Sequence, residues 1–228
     1  MKTKNYHKTI CEGDGFTIVS DVFNGVTLDS FREEADRVSE AEGAACVRNL
    51  ASKSKLFDSL SKSVKLQSYV GEHLVPVRSI LFNKTLDENW PVAWHQDLTI
   101  AVAAKQEVEN YEPWSVKDGV CHVQPPESLL NKMITVRVHL DPTPESNGAL
   151  KVIPQSHLLG KLPSDVISQY TKGNFVDCAC EAGDVLLMKP LILHSSSRSD
   201  TPKNRRIVHF EYAPVDSLHQ DLLWYERN

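Results

Sequence analysis

Hydrophobic positions in the first third of the chain follow a helical period. Apolar residues recur at spacings of three and four between positions 28 and 38, which predicts a half-buried helix. We expect this helix to begin with Thr27 as its N-cap and to run to about Glu42, where Gly43 ends it. A similar period predicts a second helix from about Ser52 to Val70.

From Pro76 the pattern changes to short β-rich runs separated by turn residues. Predicted strands are 77–83, 98–103, 133–140, 150–153, 175–180, 185–188 and 206–212. Helices do not alternate with these runs, so the pattern favours an antiparallel sandwich or barrel over a parallel sheet. We therefore expect one mainly β domain over residues 1–228, with a helical part at about 27–74 and a core at about 76–215.

The segment 104–131 interrupts the strand pattern and has little periodicity of its own. An insertion of this length in a compact domain often covers an active site. We interpret it as a possible lid; the alternative is a surface excursion that its own aromatic residues pack in place.

Composition limits the class of protein. The chain has 228 residues, of which 41% are hydrophobic and 24% charged, as in ordinary globular domains. Its net charge of −5 argues against a nucleic-acid partner. No run approaches the ~20 apolar residues of a membrane span, and the first 20 residues suggest no signal peptide. The 5 scattered cysteines are typical of free thiols, so we expect a cytoplasmic protein.

The first chemical signal is the tetrapeptide Trp94-His95-Gln96-Asp97. Side chains alternate along a strand, so His95 and Asp97 would project to the same side. They offer one imidazole and one carboxylate from one wall, although a His-x-Asp triplet by itself is common.

A second signal lies far along the chain at His194, which small polar residues follow. Two histidines and one carboxylate form the facial triad of non-haem Fe(II) oxygenases, but zinc accepts the same ligands. Arg205 follows His194 by 11 residues and could anchor the far carboxylate of a dicarboxylate co-substrate. The alternative for Arg205 and Arg206 is a pair of exposed charges at the start of a strand.

Together these residues resemble a known family. The tetrapeptide 94–97, the block Ser146–His157 (SNGALKVIPQSH), His194 and Arg205 occur in the order found in the phytanoyl-CoA dioxygenase family. The resemblance covers about residues 10 to 215. It implies a double-stranded β-helix, or jelly roll, with flanking helices, and an enzyme that uses Fe(II), 2-oxoglutarate and O2.

The resemblance also implies roles for individual residues. The residues assigned to iron, and hence to catalysis, are His95, Asp97 and His194. Arg205 would hold the 5-carboxylate of 2-oxoglutarate, and Ser196 would assist it. Arg137 is expected to face the cosubstrate or the substrate, unless it is an outward strand arginine, and Asn83 is expected to face the same cavity.

Other residues receive weaker assignments. His122 and Lys117, in the predicted lid, are candidate substrate contacts, whereas His157 is expected to be structural and His139 dispensable for iron. The carboxylate at position 97 argues against the halogenases of the family, in which chloride takes that ligand position.

The implied reaction is hydroxylation of a small molecule with release of succinate and CO2. Two alternatives remain open: a zinc-dependent hydrolase, and a jelly-roll protein that binds a metal or ligand without turnover. The sequence does not identify the substrate, which in this family is an acyl-CoA, an amino-acid derivative or a secondary metabolite, and it leaves the oligomeric state unknown.

Overall fold

A computed structural model describes residues 11–85, 88–200 and 204–227, and the secondary structure below refers to these residues. The helices are α1 (Gly25–Glu42), α2 (Leu50–Lys53), α3 (Lys55–Ser61), α4 (Val64–Val70), α5 (Glu127–Leu130) and α6 (Ile167–Tyr170). The strands are β1 (Phe16–Val19), β2 (Cys46–Arg48), β3 (Leu74–Lys84), β4 (Val92–His95), β5 (Ile100–Val102), β6 (Trp114–Lys117), β7 (Val120–Val123), β8 (Ile134–His139), β9 (Leu150–Val152), β10 (Val176–Cys178), β11 (Val185–Met188), β12 (His194–Ser196) and β13 (Arg205–Pro214).

The strands form three antiparallel sheets. Six strands pair in the order β1-β11-β8-β13-β3-β2, four in the order β10-β9-β12-β4, and three in the order β5-β7-β6. Between β3 and β13 the chain passes repeatedly from the six-stranded sheet to the four-stranded sheet and back, which is the arrangement of a jelly roll. The predicted mainly β, antiparallel fold is confirmed.

Helix α1 packs on the outer face of the six-stranded sheet. Its buried residues Leu28, Phe31, Ala35 and Val38 join the same hydrophobic cluster as alternate residues of β8, β11 and β13. The helix ends at Gly43, whose φ of 60° is left-handed, as predicted. It begins earlier than predicted, after Asn24, so Thr27 lies inside the first turn and is not the cap.

The predicted helix over 52–70 is wrong as a single element, because the segment folds as α2, α3 and α4. Two serines cause the breaks: Ser54 Oγ accepts a hydrogen bond from the N–H of Phe57, and Ser63 Oγ accepts one from the N–H of Leu66. Each serine therefore caps a new short helix.

The segment 104–131 is more regular than predicted. It contains the hairpin β6–β7, which pairs with β5, and the short helix α5. Asp118 and Gly119 form the two-residue turn, both with positive φ (49° and 77°), as in a type I′ turn. Tyr111 is buried among apolar neighbours, so much of the segment is packed core. Its role as a lid stays a prediction.

None of the described helices has the length and apolar character needed to cross a membrane. Residues 1–10, which include half of the stretch used in the signal-peptide prediction, lie outside the described residues.

Candidate active site

The two histidines of the predicted triad lie directly opposite each other. His95 is the last residue of β4, His194 is the first of β12, and the two are paired across the four-stranded sheet. Their ring centroids are 4.2 Å apart. Asp97 follows β4, and its N–H donates to the carbonyl of Pro190, 2.9 Å away, just ahead of β12. Sheet pairing therefore brings together residues that are far apart in sequence.

The three side chains present their ligand atoms to one point. Nε2 of His95 is 3.8 Å from Oδ1 of Asp97, and Nε2 of His194 is 3.6 Å from Oδ2. All candidate ligand atoms lie within 4.8 Å of one another. An ion with bonds of about 2.1 Å holds neighbouring ligands about 3 Å apart, so small side-chain rotations would suffice to bind it.

Hydrogen bonds to the backbone orient both imidazoles. Nδ1 of His95 lies 2.8 Å from the carbonyl of Ala93, and Nδ1 of His194 lies 2.9 Å from that of Ile192. A carbonyl only accepts hydrogen bonds, so Nδ1 carries the proton in both rings. The lone pair is therefore on Nε2, which faces Asp97, as metal ligation requires.

The electrostatics also suit a cation. Burial alone would raise the pKa of Asp97, but the positive charges that His194 and His95 can carry lower it to about 2. Burial lowers the pKa of His194 to about 4 against the opposing effect of Asp97. At neutral pH the site therefore contains an ionised carboxylate and a neutral His194, the protonation state that binds a metal.

The triad opens into a cavity of about 180 Å³ between the two main sheets. Among its lining residues are Arg205 on β13, Arg137 on β8 and Ser196 on β12, so three of the predicted cosubstrate residues face the triad. Lys84, at the end of β3, lines the cavity directly beside Arg205, its partner in the sheet.

Arg205 is a buried cation, only 3% exposed. Its Nη1 donates to the carbonyl of Gly148, its Nε has no hydrogen-bond partner, and none of the described carboxylates forms an ion pair with it. Burial, and then repulsion from Arg137, lower its pKa to about 9. Gly148 has a φ of 67°, and a Cβ there would lie 2.7 Å from the Ser197 carbonyl oxygen and 3.1 Å from Arg205 Nη1. The glycine in the SNG motif thus allows the backbone to approach both Ser197 and this guanidinium.

Arg137 is held from two sides within the six-stranded sheet. Its Nη1 lies 3.3 Å from Nδ1 of His209, and its guanidinium lies over the ring of Phe82 at 5.4 Å. Burial lowers the pKa of Arg137, an effect that Asp97 opposes. The interpretation of Arg137 as an outward-facing residue is therefore wrong.

The prediction that Asn83 faces the cavity is also wrong. Side chains alternate along β3, and Arg78, Ile80, Phe82 and Lys84 are the ones that line the cavity. Asn83 points to the opposite face, where its Nδ2 donates to Ser39 Oγ on α1 at 3.2 Å. The cavity residue is Lys84, one position later.

Several other histidines serve the scaffold. His157 Nε2 donates to the carbonyl of Glu12 at 3.0 Å, in agreement with a structural role. His139 binds Thr143 Oγ1 at 2.9 Å and does not line the cavity. His122, a candidate substrate contact, is buried, and its Nδ1 contacts the carbonyl of Val120 at 3.0 Å. Neither His122 nor Lys117 lines the cavity.

Sequence reasoning missed further charged residues of the cavity. Arg78 pairs with Glu211 at 2.9 Å in the buried wall, and Arg48 reaches the cavity from β2. The available signal for the β3 residues was their spacing of two: Arg78 and Phe82 lie on the predicted strand 77–83, and Lys84 continues the alternation one residue beyond its predicted end.

Comparisons with known proteins agree with this geometry. The sequence model of the phytanoyl-CoA dioxygenase (PhyH) family matches residues 11–207. No curated protein sequence matches the chain. Similar solved structures include the epimerase SnoN in complex with Fe3+, alpha ketoglutarate and nogalamycin RO, with a TM-score of 0.72 and 18% identity over 94% of this chain and 84% of that one.

Two further structures are similar over most of their length. HygX from Streptomyces hygroscopicus, with nickel and 2-oxoglutarate bound, has a TM-score of 0.67 and 18% identity over 92% of this chain and 87% of that one. AviO1 from Streptomyces viridochromogenes Tue57 has a TM-score of 0.68 and 19% identity over 95% of this chain and 97% of that one. At these identities the likeness shows the fold.

Proposed function

We propose that this chain, which belongs to the phytanoyl-CoA dioxygenase family, is an Fe(II)- and 2-oxoglutarate-dependent oxygenase that hydroxylates a small molecule. The reaction would consume O2 and release succinate and CO2. One observation carries the proposal: a two-histidine, one-carboxylate cluster faces the same cavity as a buried arginine with which none of the described carboxylates pairs.

The metal would bind to His95, Asp97 and His194, the two-histidine, one-carboxylate ligand set of non-haem Fe(II) oxygenases. When bound, Fe(II) would supply the redox chemistry that couples decarboxylation of 2-oxoglutarate to oxidation of the substrate. The protein fixes the tautomers of both histidines through the carbonyls of Ala93 and Ile192. The ligands are therefore oriented before the ion arrives.

The cosubstrate would be held by cations on the opposite sheet. The planar guanidinium of Arg205 suits the distal carboxylate of 2-oxoglutarate, and binding would give this buried cation the counter-charge it lacks. Lys84 lies beside it and would contribute a second cation, and Ser196 lines the same space. Apolar side chains such as Phe82 and Leu150 line the rest of the cavity and would exclude water.

The two alternative functions fit the cavity less well. A zinc hydrolase needs the triad but gives Arg205, Lys84 and Arg137 no role. A binding protein without turnover would not require a metal site and a dianion site in one cavity. Among the similar structures are an epimerase and a carbocyclase, so the outcome of the oxidation must be measured and not assumed.

The test is succinate formation from 2-oxoglutarate by the full chain with Fe(II), in air and under argon, during a screen of candidate substrates. We expect succinate only in air, with the substrate gaining one oxygen atom by mass spectrometry. Epimerisation would leave the mass unchanged, and carbocyclisation would remove two hydrogens. Absence of both 2-oxoglutarate binding and succinate formation would overturn the proposal, while hydrolysis supported by zinc would favour the alternative.

The small-molecule partner and the cytoplasmic location stay predictions. All five cysteines are free thiols, which agrees with a reducing compartment.

A further inference from the structure

The cavity carries more positive charge than the proposed cofactors neutralise. Its lining includes the five cations Arg48, Arg78, Lys84, Arg137 and Arg205 and the two carboxylates Asp97 and Glu211. A divalent ion and dianionic 2-oxoglutarate cancel each other, so they leave this excess of three charges in place. Burial, Arg205 and Arg137 lower the pKa of Lys84 to about 7, but even with a neutral Lys84 the lining residues keep an excess of two positive charges. The chain as a whole is negative, so this is a local concentration of charge.

The cations occupy two ends of the cavity. Lys84 and Arg205 are only 2% and 3% exposed and mark the closed end, where the cosubstrate is proposed to bind. The side chain of Arg48 is 31% exposed and lies at the open end. Arg48 is on β2, opposite Ile80 of β3. Along β3 the inward-facing residue Phe82 lies between Ile80 and Lys84, so Arg48 and Lys84 are not neighbours.

At the open end, Arg48 has only a displaceable partner. Its Nη1 contacts Oδ2 of Asp118 at 2.6 Å, but the Asp118 side chain is 60% exposed and lies at the turn of the β6–β7 hairpin. An ion pair this exposed to water is weak. The Nε of Arg48 is buried and has no hydrogen-bond partner among the described residues. The guanidinium could therefore form a bidentate contact with an oxyanion, which Asp118 does not provide.

A second cation lies near this position. Burial, Arg78 and Arg48 all lower the pKa of Lys117, the neighbour of Asp118 in the hairpin. By contrast, Glu211 already neutralises Arg78 in the wall. Arg48 is thus the cation at the open end with the most unused binding capacity.

We propose that the substrate is an anion, a carboxylate or a phosphate monoester, whose oxyanion binds Arg48 in place of Asp118 while its carbon chain extends toward the His95–Asp97–His194 cluster. This inference rests on the proposed function and names the chemical class of its substrate. Asp118 would act as an internal substitute for the substrate anion in the ligand-free protein.

The experiment is calorimetric titration of the full chain, loaded with Fe(II) and saturating 2-oxoglutarate under argon. The probes are hexanoate, hexyl phosphate and the neutral hexanol. We expect at least one anion to bind about tenfold or more tightly than hexanol, as a charge-assisted contact requires. Comparison of the two anions distinguishes a carboxylate substrate from a phosphate ester.

Two substitutions give opposite expectations. Arg48→Ala should weaken binding of the anion by about tenfold, and Arg48→Lys should restore part of it, since an ammonium cannot form the bidentate contact. Asp118→Asn should tighten binding, because it removes the competing carboxylate. The matched control is Arg37→Ala, which breaks the exposed ion pair with Glu34 on α1 and should change nothing.

The inference is overturned if hexanol binds as well as both anions, or if Arg48→Ala and Asp118→Asn shift the affinity in the same direction, as loss of a merely structural ion pair would. Affinity for 2-oxoglutarate is measured on the same samples and should not change in either variant. If the wild-type chain binds no 2-oxoglutarate, the proposed function fails. If it binds 2-oxoglutarate but does not prefer the anions, only the substrate class fails.

Discussion

Replacement of Arg205 by alanine tests the cosubstrate site most directly. Arg205→Ala should weaken 2-oxoglutarate binding while leaving Fe(II) binding unchanged, because Arg205 faces the cavity from the sheet opposite the triad. The adjacent Arg206 provides the matched control, since it projects to the other face. There it forms two hydrogen bonds with Asp141, at 2.8 and 2.7 Å, and one with Asp36 at 2.8 Å.

The magnitude follows from the burial of the guanidinium. A charge-assisted contact contributes roughly 1.5–3 kcal/mol, and removal of one partner of a buried pair costs about 3–5 kcal/mol. At 1.4 kcal/mol per factor of ten, the dissociation constant should rise about ten- to a thousandfold. Lys84 remains beside the site and should keep the loss below the upper limit. Arg205→Lys should recover only part of the affinity, since it lacks the fork.

The free energy of unfolding should show the opposite order, with Arg206→Ala the more harmful of the two substitutions. The pKa of Arg205 is lowered to about 9, chiefly by burial, and none of the carboxylates in the described part of the chain pairs with this cation. Its removal should not lower the free energy of unfolding. Loss of Arg206 breaks a largely buried ion-pair cluster between β13 and α1 and should cost about 2 kcal/mol or more.

The assay is anaerobic titration of each Fe(II)-loaded variant with 2-oxoglutarate, together with urea unfolding of the free proteins. If Arg206→Ala loses the affinity and Arg205→Ala keeps it, the assignment of faces on β13 is wrong. If neither variant changes the affinity, the distal carboxylate does not bind here, and the 2-oxoglutarate proposal loses its main support outside the triad.

Three further predictions concern the metal, the lid and pH. His95→Ala, Asp97→Ala and His194→Ala should each abolish Fe(II) binding and succinate formation without lowering the melting temperature; full metal content in any variant would exclude that residue as a ligand. Fe(II), 2-oxoglutarate and substrate together should slow proteolysis within 104–131, because closure excludes water; equal cleavage rates would argue against a lid. Burial raises the pKa of Glu226 from 4.5 to about 7, so the folded state retains a proton that the unfolded chain releases. Urea unfolding should therefore show stability falling by up to about 3 kcal/mol from pH 4.5 to 7, and Glu226→Gln should remove this decline; an unchanged slope in that variant would assign the pH dependence to another group.

The cluster His95–Asp97–His194 was predictable because its residues stand in a known order with Arg205. Strand alternation by itself would not have placed Asp97, because β4 ends at His95 and a hydrogen bond to Pro190 positions the segment that follows. The prediction that Asn83 faces the cavity is wrong because it depends on the register of β3. A shift of one residue moves every side chain of a strand to the opposite face, and sequence alone did not show which face of β3 is inward.

The hairpin in the segment 104–131 was missed although its signal was present. Asp118-Gly119 between short β-rich runs is the strongest local sign of a two-residue turn. Proline and charged residues around this turn obscure the alternation of apolar and polar positions. In addition, the two central residues of β6 are exposed. Apolar residues such as Val123 join the core because β7 pairs with β5, a contact between distant segments that periodicity does not reveal.

The amino-acid composition does not reveal the cationic cavity. A net charge of −5 disfavours a nucleic-acid partner, which stays a prediction, but the sum conceals a cavity whose lining carries more positive than negative side chains. Arg48, Arg137 and Arg205 meet there only because β2, β8 and β13 belong to one sheet whose inner face closes over the triad. A buried cation without a counter-ion lowers the stability of the folded state. Arg137 and Arg205 are two such cations among the described residues, and the Arg48–Asp118 pair is exposed to water. The proposed cosubstrate and the proposed anionic substrate would each bring negative charge to one end of this cavity.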